Sequence, residues 1–286
     1  KDHALKTIYR LFPDPEASLL AGILLGVDNG LPKDLEQDFK DTGTSHIIAI
    51  SGFNISLIAG FLLTVFGRIF GRNRGALFAA VGIILYTLLV GADASVVRAA
   101  VMGVSALVAH HFGRRQDGLN ILFIVAAGMN LFNPFYIEDV GFQLSFFATL
   151  GLILYAEPLS NFATRLLSSF NLGPETIQKV SPFISDFILL TLAAQITTLP
   201  ISAYHFNRLS LISFIANPFI LPAQPPVMML GGLTDILGMI LQPLGQLLAF
   251  IAWPFVSYTI RMVELFGNMP GAAISVDFPF WGVIAW

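Results

Sequence analysis

The sequence contains no cysteine, which excludes disulfides and thiolate metal centres. Charge is almost as scarce. Asp, Glu, Lys and Arg together make up 12% of the 286 residues, against roughly 25% in a soluble domain. The net charge of -3 supplies no global basic field of the kind that marks nucleic-acid binders. No P-loop, Gly-rich dinucleotide motif or zinc-protease motif is present. A basic start leading into an apolar stretch and a cleavage site is missing too, and the chain opens on Lys1, so it reads as a piece of a longer protein. What the sequence has in abundance is apolar surface: 55% of its residues are hydrophobic and the mean hydropathy is +0.76. That balance predicts an all-α, polytopic membrane helix bundle.

Residues 1–45 differ from the rest. Lys1 to Thr44 holds eight of the eighteen acidic residues and five of the fifteen basic ones, and reads as an extracytoplasmic, interfacial amphipathic segment. Its apolar run Ala17 to Val27 is too short to span, so an interfacial or re-entrant helix is expected. Residues 46–286 read as one multi-span domain of about eight spans, His46–Phe66, Gly75–Gly91, Ala94–Phe112, Leu119–Phe135, Phe142–Ala156, Phe183–Tyr204, Pro226–Leu241 and Leu244–Phe266. Leu209–Leu221, interrupted by Asn217-Pro218, is expected to dip into the membrane as a broken half-helix. Arg68, Arg72 and Arg74, then Arg114 and Arg115, then Arg165 and Lys179 recur on alternate loops. The positive-inside rule turns those loops to the cytoplasm and leaves both ends outside.

Polar residues inside such spans carry the information. Thr191, Gln195, Thr198 and Ser202, continued by His205, fall on one helical face. Pro200 interrupts that helix and deprives the Ile196 carbonyl of its usual donor. The stripe reads either as interhelical hydrogen-bond glue or as a pore lining. Arg98, with Ser105 two turns below, faces the bundle interior, or else snorkels outward or pairs with Asp93. The valines at 97, 101, 104 and 108 offer the opposite face to lipid. On a continuous helix His46, Ser51 and Asn54 would share a sector, and Gly52 invites a break there. Gln143 and Asn217 are smaller signals. The adjacent His110 and His111 diverge on a helix and make a poor metal site.

These residues resemble a known family. Thr42-Gly-Thr-Ser-His-Ile-Ile-Ala-Ile-Ser-Gly is similar to the opening signature of the ComEC competence domain, the bacterial inner-membrane channel for DNA uptake. Ser95-Val-Val-Arg-Ala-Ala-Val-Met, Gly113-Arg-Arg-Gln-Asp-Gly-Leu-Asn, Asn133-Pro and Gly141-Phe-Gln-Leu-Ser-Phe follow in the family's order. Ala194-Gln, Thr198-Leu-Pro200 and Asn217-Pro218 complete it. Asn54 stands where the family often has His, so that position keeps hydrogen bonding but neither titrates nor binds metal.

The resemblance implies passage of single-stranded DNA to the cytoplasm through a wet, sealed path in the lipid. An extracellular DNA receptor and a cytoplasmic ATP-driven translocase are the implied partners. So are the OB-like and metallo-β-lactamase-like domains of full-length relatives, which do not occur in this sequence. Neither enzymatic activity nor a cofactor or metal is expected of this chain. Arg98 is expected to guide phosphates near the outer mouth, Gln195, Thr198, Thr191, Gln143 and Asn217 to line the path, and His46, Ser51 and Asn54 to shape it. Arg114 and Arg115 would receive the strand, while Gly52 and Pro200 supply breaks. The competing readings are a secondary transporter of a small solute and, more remotely, an intramembrane serine hydrolase built on Ser51 and His46.

Overall fold

The computed structural model describes residues 1–27, 30–48, 50–91, 93–111, 117–169, 188–276, 279 and 283. Three short helices come first: α1 (Asp2–Leu11), α2 (Glu16–Leu25) and α3 (Lys33–Asp41). A single 3-10 turn, Ser45–Ile47, separates them from α4 (Gly52–Phe70), α5 (Arg72–Val90), α6 (Ala94–His111), α7 (Gly118–Phe132) and α8 (Val140–Ser169). Farther on lie α9 (Leu190–Phe206), β1 (Arg208–Ser210), α10 (Ser213–Ile220), α11 (Gln224–Ile240), α12 (Gln242–Gly267) and β2 (Ala273–Ser275). The two strands form an antiparallel pair in which Leu209 lies opposite Ile274.

Every expected span contains a helix. Among the described residues three stretches, Ser45–Phe70, Val140–Ser169 and Gln242–Gly267, are long and apolar enough to cross a membrane. The remaining expected spans hold shorter helices. Large apolar side chains point away from the protein on many of these helices, with Ile124 69% and Phe250 80% exposed. In a membrane that surface meets hydrocarbon rather than water.

Three apolar clusters hold the bundle. The largest joins α1, α2 and α3 to α10, α11 and α12 through residues such as Ile8, Leu20, Phe39, Val227 and Val256. A second binds α4, α5 and α6 around Ile55, Ile83 and Val96. A third binds α6, α7 and α8 around Val125, Met129 and Phe142. Helices α8 and α9 touch directly at Gly151, where a Cβ would lie 2.3 Å from the Ala193 carbonyl oxygen.

Several expectations change. Each residue of α2 is buried, where an interfacial helix would keep one side out; the re-entrant alternative does not need an exposed face. Its sequence, apolar almost all round, has no polar face to leave exposed. The amphipathic helices are α1, which buries Ala4, Thr7 and Ile8 and leaves Lys6 and Arg10 outside, and α3, which buries Leu35 and Phe39. The fifth span does not end at Ala156, because α8 continues through Pro158 to Ser169. Leu209 belongs to β1 and not to a half-helix. Pro218 lies inside α10 without ending it, and Leu221 donates its amide to the Asn217 carbonyl.

Candidate conduit site between α4, α6 and α8

The signature loop breaks where glycine permits it. His46 sits on the 3-10 turn, Ser51 is extended (φ -111°, ψ 170°), and α4 begins at Gly52. The shared helical sector expected for His46, Ser51 and Asn54 therefore does not exist. His46 is exposed and pairs through Nδ1 with the Gly43 carbonyl at 3.2 Å. Ser51 Oγ donates to Asn54 Oδ1 at 3.4 Å. Asn54 is buried, and its Nδ2 reaches the Ile23 carbonyl at 3.5 Å, at the end of α2. Tyr86 Oη donates to the neighbouring Leu24 carbonyl at 3.0 Å.

Arg98 turns inward. It is 3% exposed, and its guanidinium donates to Ser145 Oγ and Thr149 Oγ1 on α8, with the Met102 sulfur at 3.8 Å. Thr149 itself donates to the Ser145 carbonyl at 2.9 Å, which leaves its oxygen lone pairs for Arg98. Nε has no partner. Among the described residues no carboxylate pairs with Arg98, Asp93 included. Ser95 Oγ, one turn earlier, donates to the Ile50 carbonyl at 3.4 Å. A Cβ on Gly52 would lie 3.6 Å from Arg98 Nη2 and 3.5 Å from Ala99 Cβ. Two signature segments far apart in sequence thus meet at one junction. Of the valine face opposite Arg98, Val101 is outside, while Val97 and Val104 pack against the apolar clusters.

The remaining expected residues gather elsewhere. On α9, Gln195 donates from Nε2 to Ser213 Oγ on α10 at 3.0 Å, Thr198 donates to the Ala194 carbonyl at 2.9 Å, and Thr191 is buried. The helix passes through Pro200, and Ile196 is not left without a partner. The Gln195 bond joins two helices and the Thr198 bond stays within α9, yet Gln195 Oε1 and Asn217 Oδ1 remain buried without a partner. Gln143 donates to the Ile137 carbonyl at 2.7 Å and pairs through Oε1 with His205 Nε2 at 2.9 Å. Both border a cavity of about 280 Å³ with Glu138 and Tyr204. Arg114 and Arg115 lie outside the described residues. So do the side chains of Val108, His110 and His111.

Ser145 stands in the sequence only as part of Gly141-Phe-Gln-Leu-Ser-Phe, and Thr149 is not among the expected site residues. Their i, i+4 spacing puts two hydroxyls on one face of an apolar helix, and that was the available signal. Ser213 gave none, since a lone serine in a short apolar segment is unremarkable.

A bundle of apolar helices that buries a cation among hydroxyls, with no carboxylate partner among the described residues, belongs to the integral membrane proteins. Within that class the family is shown by sequence: a family model described as competence protein matches residues 23–286. The chain belongs to the competence protein family. It is 23% identical over 283 residues to ComE operon protein 3 of Bacillus subtilis, covering 98% of this chain and 34% of that protein. An uncharacterized protein of Aquifex aeolicus is 29% identical over 194 residues, covering 66% of this chain and 46% of its own. The uncharacterized protein YcaI of Escherichia coli is 27% identical over 225 residues, covering 74% and 28%. The chain therefore spans between a quarter and a half of the length of these relatives. No solved structure matches it.

Proposed function

We propose that this chain is the membrane core of a bacterial DNA-uptake protein and passes single-stranded DNA across the inner membrane to the cytoplasm. Membership of the competence family supports a role in DNA uptake. The observation that carries the strand reading is Arg98, a buried cation with hydroxyl partners and no carboxylate partner among the described residues. An intramembrane arginine is costly, and it is kept where it meets a polar path or an anion. Hydroxyls hold it in position without neutralising it, so it remains attractive to a backbone phosphate. Loose, multi-point attraction suits conduction better than tight capture.

In this reading the path follows the Arg98 junction and the polar faces of α8 and α9, with Gln143, Thr191, Gln195, Thr198 and Asn217 along it. Arg114 and Arg115 receive the strand on the cytoplasmic side. The bundle crosses the membrane about eight times, and both ends of this chain lie outside the cytoplasm. It carries no enzymatic activity. Force comes from partners: a receptor outside, an ATP-driven translocase inside, and OB-like and metallo-β-lactamase-like domains of the full-length protein.

The test is DNA internalisation in competent cells whose full-length protein carries Arg98→Ala or Gln195→Ala, with membrane levels measured. Arg98→Ala should reduce internalised strand by at least about tenfold while DNA bound outside is unchanged, as expected for loss of one charge-assisted contact. Normal internalisation in both variants would remove this path. Normal internalisation without the whole protein would leave a solute transporter as the better reading.

A further inference from the structure

Two positive features meet at the junction, and nothing described there neutralises them. The first is the start of α4, a 19-residue helix. The leading N–H groups of a helix have no acceptor within it and carry about half a positive charge together. A serine at this position ordinarily caps them with its oxygen. Ser51 gives no side-chain cap; its hydroxyl donates to Asn54. The second feature is Arg98, 97% buried by its 3% exposure, whose Nη2 lies 3.6 Å from where a Gly52 Cβ would be. Its Nε is unpartnered, and its recorded partners are two hydroxyls and a thioether. A guanidinium offers five donors, so N–H capacity remains.

A buried charge beside a like-signed helix end is unfavourable unless an anion joins them. Gly52 begins the helix at this junction. It is partly exposed, and Phe53 beside it is 42% exposed, so the junction opens at this edge.

We propose that the Gly52–Arg98 junction is a binding site for a singly charged phosphodiester, whose free oxygens are held by the Gly52 and Phe53 amides and by the Arg98 guanidinium. The site is local and made of donors, which distinguishes it from general attraction by positive potential. It rests on the strand reading only for the source of the phosphodiester, which is either a nucleic-acid backbone or a lipid headgroup.

The experiment uses the full-length protein in a maltoside detergent, which contains no phosphate. The probes are dimethyl phosphate followed by phosphorus NMR, a fluorescent base-free phosphodiester oligomer, and phosphatidylglycerol. Two substitutions at Gly52 separate shape from donor. Gly52→Ala keeps the amide, and its Cβ meets Ala99 and Arg98 at ordinary contact distance. Gly52→Pro removes the amide at the first helical position, where proline is accepted, and the extended Ser51 suits a following proline. We expect Gly52→Ala to bind like wild type, Gly52→Pro to bind about tenfold more weakly, and Arg98→Gln about tenfold to a hundredfold more weakly. Arg98→Lys should recover part of the loss, because it restores the charge without the fork.

Equal binding by Gly52→Ala and Gly52→Pro, or unchanged binding by Arg98→Gln, overturns the site. Should Gly52→Pro fail to fold, the comparison of Arg98→Lys with Arg98→Gln decides. Binding of phosphatidylglycerol without the oligomer supports the site and assigns it to lipid. Binding that Arg98→Gln weakens, together with normal DNA uptake in Arg98→Ala, supports the site and defeats the strand reading. Lost uptake with unaffected binding does the reverse.

Discussion

A carboxylate packed against a helix end loses water and becomes harder to ionise. Asp38 is such a group: burial raises its pKa first, and the nearby Glu264, Asp41 and Asp34 raise it further. Gly267 makes the approach possible, since a Cβ there would come within 2.8 Å of Asp38. Because the folded-state pKa lies above the unfolded one, the native state is penalised once pH rises through the unfolded value. The penalty disappears as acid protonates the folded form. Asp38→Asn should therefore raise the melting temperature at neutral pH by about one to three degrees, and the gain should vanish in acid. Thermal melts of both forms across pH check this. Glu36 moves the opposite way, held below its usual range by its bond with Lys40 at 2.6 Å. Both groups are exposed and the pair is worth little.

At the scale of elements, α8 and α9 are matched by one missing side chain. The 2.3 Å separation of a Gly151 Cβ from the Ala193 carbonyl, with Thr197 Oγ1 at 2.4 Å, is too close for any alanine contact. Gly151→Ala should push the helices apart and cost about 1–3 kcal/mol, the usual range for overpacking. Thr197 would also lose its bond to the Phe147 carbonyl, 2.6 Å in the native packing. Loss of thermal stability without loss of helix signal would be the observed result. This close approach had no counterpart in the sequence, where Gly151 is one of 25 glycines. The helices themselves were legible because an apolar run of sufficient length has few alternatives in a membrane. Their ends were less so: the fifth span reads as ending at Ala156, yet α8 continues through Pro158 to Ser169, where one lost hydrogen bond does not outweigh the turns beyond it. At the site, the cost of burying Arg98 could be read directly from its apolar neighbours. Its contacts with Ser145 and Thr149, about fifty positions away, could not, because side-chain periodicity describes one helix and not its partner. The Gly52 break was visible, and its consequence for His46, which left the shared sector, was not.

The whole molecule is held together across its length. Helices from the first forty residues share a core with those beyond residue 210, and Glu16 accepts a hydrogen bond from Ser257 at 2.9 Å. At the other side of that core, Arg208 pairs with Asp41 and Ser210 donates to the Asp41 carbonyl at 2.7 Å. The clusters around α4 to α6 and α6 to α8 are built from nearer neighbours in the chain. Helix α2 carries the consequence. Its ten residues reach about 15 Å, half the thickness of the hydrocarbon, and it has no polar face with which to rest at the surface. The carbonyls at its end need Asn54 and Tyr86, and its flank needs α11 and α12. During synthesis α2 emerges before every one of these partners, so it stays unpacked until the last helices arrive. Ribosome-stalled chains ending before α11 should be cut by protease within residues 1–44, and chains extending past α12 should resist.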